Sequence, residues 1–402
     1  MKRSFSIHAL LWLVLYALLP GAMAQRGMPA VTTTYQQTNL ASDIPGLAKV
    51  TQPSLQNRMG ITRGVGFFDT FILLAHGTEE ADFLTPSGEF CHDTCGIVSL
   101  PVPVMGTDGA TPKHPTGVAF NDVSGNNNDG TRIFPYFGGV GEWVVVTGDG
   151  TVNCGNLIST PAIDALVNNS RSGAVYKGVA VFRNSDGGFA AVSNFHSSRI
   201  EVYDGQNYPE AWTLVHLKGN FTDPKLPAGF SPFGVVEVNK TIFVTYAQQD
   251  KAKKNPVVGA GLGFVDEFDV NGNFVGRFAS RGVLNAPWGM ALAPAKGFGQ
   301  FSGALLISNF GAGVINTFDL KTGNSLGALR DAKGKPIASP GLWGMFFGGQ
   351  KLRDAYAPGH PVGDPGTLYF TAGIRKQKHG LFGSITAAKG CRPLTSHKED
   401  AV

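Results

Sequence analysis

The chain has 402 residues, of which 43% are hydrophobic and only 15% charged, with 54 Gly and 24 Pro. Many glycines and few charges argue against a helical protein and for a turn-rich all-β one. A formal charge of +4, with no basic stripe interleaved with aromatics, excludes nucleic acid as a partner.

The N-terminus reads as a secretory signal peptide over residues 1–24. Lys2 and Arg3 precede an apolar core, Ala9 to Leu19, which Pro20 and Gly21 break before the small residues Ala22 to Ala24. The apolar run is too short to span a bilayer comfortably, and no later segment is long and apolar enough to cross one. The expected context is extracellular, either free or in a cell wall or matrix. There, Cys91, Cys95, Cys154 and Cys391 are disulfide candidates with three possible pairings. Asn168, Asn220 and Asn239 each open an N-glycosylation sequon, so a glycoprotein is expected.

From residue 25 to 390 the chain repeats. A short strand opening on X-Gly recurs at Gly60, Gly117, Gly178, Gly234, Gly289 and Gly344, at intervals of 57, 61, 56, 55 and 55 residues. Each opening is followed by a second apolar run, such as "GFAAVSNF" or "GALLISNF". A third segment often alternates and ends in Asp, as in "RIEVYD" and "VINTFD". In "RIEVYD" the period-two pattern sets Ile200 and Val202 against Glu201 and Tyr203, which reads as a strand with one face buried. Six units of about 55–61 residues predict a six-bladed β-propeller with four strands per blade. Each repeated Gly is expected where inner strands converge on the axis. The segment "TTTYQQTNLASD", ahead of the first unit, is expected to supply the outer strand of the last blade. Residues 391–402 form a polar tail.

Several stretches resemble a family of secreted, NHL-like six-bladed propellers, mostly bacterial, some of which carry a PEP-CTERM sorting tail. They include "VYKGVAV", "NFHSSRIEVYD", "GAGLGFVDEFDVNG", "LNAPWGMALAPAKGFGQFSGALL" and "GLWGMFFG", and together they cover roughly residues 175–385. The resemblance implies fold and secretion but no activity. The first two blades depart from its pattern. Asn57-Arg58-Met59-Gly60 stands where the family has Asn-Pro-Trp-Gly, Ala75-His76-Gly77 replaces Ser-Asp-Asn, and Gly148 replaces a Glu.

In a propeller, the loops approaching the inner strands and the corners between second and third strands open on one end of the channel, the usual binding face. Here those loops carry His76, His114, Asn194, Tyr246, Asp250, Asn285 and Asn309 as ligand-binding candidates. The stretch from Thr245 to Asp269 is long for such a corner. Asn194 and Asn309 occupy equivalent positions in "SNFHSSRIEVYD" and "SNFGAGVINTFD" and are the metal candidates, with calcium as the ion. His196 has Gly311 as its counterpart, so the fold does not demand it; it is the catalytic candidate. The zincin HExxH, the Walker A loop and the GxSxG elbow are absent. The favoured function is a secreted binding or matrix-associated protein that recognises a carbohydrate, peptide or surface protein. The alternative is a metal-assisted hydrolase or lactonase.

Overall fold

The computed structural model describes residues 33–64, 69–91, 99–102, 114–121, 135–136, 139–140, 142–156, 162–205, 212–349 and 362–388. Residues 1–24 and 391–402, expected as signal peptide and tail, lie outside them, as do Cys95 and Cys391. Six antiparallel sheets form the blades of a β-propeller. Their inner strands are Arg58–Arg63, Pro115–Phe120, Tyr176–Arg183, Phe230–Val238, Pro287–Leu292 and Leu342–Phe347. Second, third and outer strands follow outward in chain order in the first five blades.

The sixth blade is completed from the other end of the sequence. Its third strand, His379–Ala388, pairs antiparallel with Thr34–Ser42. The seam is fastened by Asp43, whose carboxylate accepts from Gly380 N at 2.9 Å and lies 2.8 Å from His379 Nδ1. This closure leaves no free edge at the junction.

Alternation along each strand serves two neighbours. In blade 3, Ala190 and Val192 pack against blade 2, while Phe189 and Ala191 pack against blade 4. Six apolar clusters fill the six interfaces between blades, and a seventh lies on the axis. This corrects the reading of "RIEVYD" as buried on one face. Glu201 and Tyr203 are 3% and 2% exposed, because each sheet is covered on both sides.

The repeated X-Gly is a β-bulge. In blade 3, Tyr176 pairs with Asn194 and Val179 with Val192, so Lys177 and Gly178 together face Ser193. Blades 1, 4, 5 and 6 bulge in the same way. A Cβ on any of the six glycines would stand 2.0–3.1 Å from the carbonyl oxygen of the X residue in the next blade. From Gly60 onward these oxygens belong to Thr116, Lys177, Phe233, Trp288, Trp343 and Met59. Buried hydroxyls secure the bulge. Ser193 Oγ accepts from Gly178 N at 2.7 Å and donates to Phe233 O at 2.9 Å. Ser308 links Gly289 to Trp343, and Thr371 links Gly344 to Met59, in the same manner.

Two alanine substitutions separate this close approach from glycine content in general. Gly234→Ala, whose Cβ would fall 2.0 Å from Trp288 O, is expected to cost about 3 kcal/mol. Gly276→Ala, in an outer strand with nothing within 4 Å, is expected to be neutral or slightly stabilising. Urea unfolding of the two variants against wild type checks both.

Candidate binding site

In blades 1, 4, 5 and 6, residue X of the bulge points to the axis. Met59, Phe233, Trp288 and Trp343 come from blades 1, 4, 5 and 6 yet form one buried cluster with Phe195, which only convergence on the axis allows. Phe233 lies 5.9 Å and Trp288 5.7 Å from Trp343, ring centre to ring centre. Half-buried Phe310 stacks on Trp343 at 4.2 Å. The rings plug the channel. Beyond them, inner-strand residues from the glycines onward, such as Gly178–Val181, line a cavity of about 500 Å³ that reaches the Asn239 turn at the other end.

Blade 3 departs from this pattern. Its X residue is Lys177, only 7% exposed. Among the described residues its ammonium makes no hydrogen bond or ion pair. Burial pulls its pKa down to about 8, against the attraction of Asp250 and Asp149. Lys177 was not a candidate on the sequence. The available signal was positional, since a lysine occupies a slot that holds Met, Phe or Trp in four other repeats.

Two candidate histidines meet beside it. The His76 and His114 rings lie 4.6 Å apart. His76, at the corner of blade 1, is lowered to about pKa 4 by burial and by the charges of His114 and Lys177. His114 is raised by its hydrogen bond to Asp149. The Asp149 carboxylate accepts from the His114 backbone N–H at 2.8 Å and lies 3.0 Å from its Nδ1. Two imidazoles this close do not readily hold two charges; Asp149 assigns the proton to His114.

The other candidates take different places. Asn194 Oδ1 accepts from Ser197 N at 3.2 Å, and its Nδ2 donates to Glu201 at 2.9 Å. Asn309 Oδ1 accepts from Asn285 N at 2.8 Å, and its Nδ2 donates to Asn316 at 3.0 Å. Both amides cap their corners, and no group of three or more His, Cys, Asp or Glu suited to a metal occurs among the described residues. Asn285 Oδ1 accepts from Gly259 N and so fastens the long Thr245–Asp269 segment onto blade 5. Asp250 accepts from Lys254 N and Asn255 Nδ2 within that segment. Tyr246 is fully buried, and its phenol is kept protonated by burial and by the nearby Asp266. His196 stands apart; its ring passes the Gly173 turn, and its buried Nδ1 has no partner.

Sequence reasoning also missed a polar network in blade 3. Tyr176 and Tyr203 hydroxyls each donate to Glu201 at 2.7 Å, joined by Asn194 and Arg199. Burial opposes ionisation of Glu201, but these four donors hold its pKa below the ordinary value. Asn316 is its counterpart in the duplicated phrase, and Asp82, Asn153 and Asp266 take the same register position in blades 1, 2 and 4.

No family model matches the chain. It is 30% identical over 365 residues to the uncharacterised protein R648 of Acanthamoeba polyphaga mimivirus, covering 89% of this chain and 82% of that one. The chain belongs to the family of that viral protein. It is also 31% identical over 295 residues to the uncharacterised protein R640 of the same virus, of whose length it spans about half (51%, against 69% of this chain). Among solved structures it is similar to a protein of unknown function from Bacteroides thetaiotaomicron. The TM-score is 0.50, with 10% identity and coverage of 89% of this chain and 76% of that one, a likeness of fold alone.

The imidazole pair gives a direct test. In an NMR pH titration, the His76 ring is expected to titrate near pH 4 and the His114 ring above the ordinary 6.5. As pH falls from 6.5 to about 4, the unfolded chain binds a proton at His76 that the folded chain does not, so folding stability drops over that window. The His76→Gln variant should show a shallower acid limb in thermal unfolding. Ordinary titration of both rings near 6.5 would contradict the geometry.

Proposed function

We propose that the chain is a secreted binding propeller that recognises an extracellular carbohydrate, peptide or surface protein at the plugged end of its channel. The supporting observation is the convergence there of His76, His114, Asp149 and Lys177 beside an aromatic floor. Binding sites place a few polar groups on a largely apolar surface, and propeller corners hold such groups on a rigid scaffold. Secretion rests on the N-terminal sequence. Asn168, Asn220 and Asn239 are exposed and so open to glycosylation.

A second reading, a hydrolase or lactonase at the same mouth, draws on the His114–Asp149 pair. A carboxylate that orients an imidazole and raises its basicity is equipment for proton transfer. Calcium held by Asn194 and Asn309 has less support, because both amide oxygens already accept backbone N–H groups.

Glycan and peptide arrays probed with the purified chain, alongside an ester and lactone panel, separate the two readings. The binding reading expects a ligand that survives chelator and weakens at least tenfold in His114→Ala or Asp149→Ala, without turnover on the panel. Turnover lost in the same variants would replace it with the enzyme reading.

A further inference from the structure

We infer that Lys177 anchors a carboxylate-binding site and that the ligand at the plugged mouth is an acidic sugar, its uronate carboxylate paired with the Lys177 ammonium. This rests on the binding reading above and narrows its ligand class.

The fold has no need of a lysine at this position. Met59, Phe233, Trp288 and Trp343 fill the same bulge slot with apolar groups, and the bulge depends on the following glycine. A nearly buried ammonium without a partner is costly, and removing it would stabilise the fold unless something else requires it. Nearby carboxylates do not neutralise it by contact. Asp149 is engaged by His114, and Asp250 by Lys254 N and Asn255. Among the described residues no group pairs with the ammonium, and an anion from outside is the partner that would.

The aromatic floor narrows the ligand further. Phe310 is half-buried and stacks on Trp343 at 4.2 Å, so it offers a ring face at the mouth beside the lysine. A simple carboxylate would leave that face uncovered. A sugar acid brings both the carboxylate for Lys177 and a pyranose face suited to Phe310.

The test is calorimetric titration of the full chain with trigalacturonate, its methyl ester, a neutral trisaccharide and hexaglutamate. Trigalacturonate is expected to bind, with the ester and the neutral sugar at least thirtyfold weaker, a comparison that needs no variant. Lys177→Met should fold with an unchanged or higher Tm and lose at least thirtyfold in affinity, and Phe310→Ala should lose about tenfold. Equal binding of acid and ester, or Lys177→Met within twofold of wild type, overturns the proposal. Tighter binding of hexaglutamate overturns the sugar in favour of an acidic peptide. If a neutral ligand binds and only His114→Ala weakens it, the carboxylate anchor falls while the binding site stands. If no variant at the mouth changes any binding, both fall.

Discussion

The structure depends on one close approach repeated around the axis. At each step a glycine sets its bare Cα against the carbonyl of the neighbouring inner strand. A side chain there would push the blades apart, and six such displacements would open the ring. The bulge that brings the glycine inward also twists the strand and, in blades 1, 4, 5 and 6, turns residue X toward the axis. The feature that closes the propeller thus also decides which side chains occupy its centre.

Blades differ in how they secure this bulge, and the difference falls where the site lies. In blades 3, 5 and 6 a Ser or Thr opposite the bulge binds the glycine N–H and the next blade's carbonyl. Blades 1 and 2 have Leu74 and Val146 at that position. Blade 2 instead uses Thr116, the X residue itself, whose one hydroxyl proton lies between Val146 O and Tyr176 O, 3.0 and 2.8 Å from Oγ1. With Thr116 turned sideways into the interface, the axial layer on that side is left to Lys177. His76 and His114 belong to the same two blades, where the resemblance to secreted propellers also breaks down.

Much of the architecture was legible because its causes are local and periodic. A glycine every 55–61 residues, an apolar run after it and an alternating third segment are direct imprints of bulge, second strand and third strand. The outer strand of the last blade was legible as an unpaired β-prone segment ahead of the first repeat. Legibility ended where meaning depends on the neighbouring blade. Period-two alternation looked like one buried face, since a single strand does not show that a second sheet covers Glu201 and Tyr203. His76 and His114 were visible as separate loop residues 38 positions apart, but their contact required two blades to be adjacent. Asn194 and Asn309 were singled out correctly as equivalent, yet equivalence by repeat is more readily a sign of architecture than of chemistry, and both cap a corner. Lys177 was hidden because "VYKGVAV" is an unremarkable strand until it is aligned with the Phe and Trp openings.

The two ends of the channel make different demands on a ligand. The cavity of about 500 Å³ offers volume, but its walls are six inner strands, which present backbone edges and mostly small apolar side chains, a surface that discriminates weakly. The plugged end offers little volume and concentrated chemistry: an ammonium with no counter-ion among the described residues, an imidazole pair whose proton Asp149 holds on His114, and an aromatic floor. Specificity comes from buried polar groups that only the right partner satisfies, because every wrong partner leaves them unpaired. By that criterion the plug serves as the floor of the recognition site. Its one lysine among apolar counterparts places the discriminating charge where water is already largely excluded, so that a matching anion gains the full strength of the pairing.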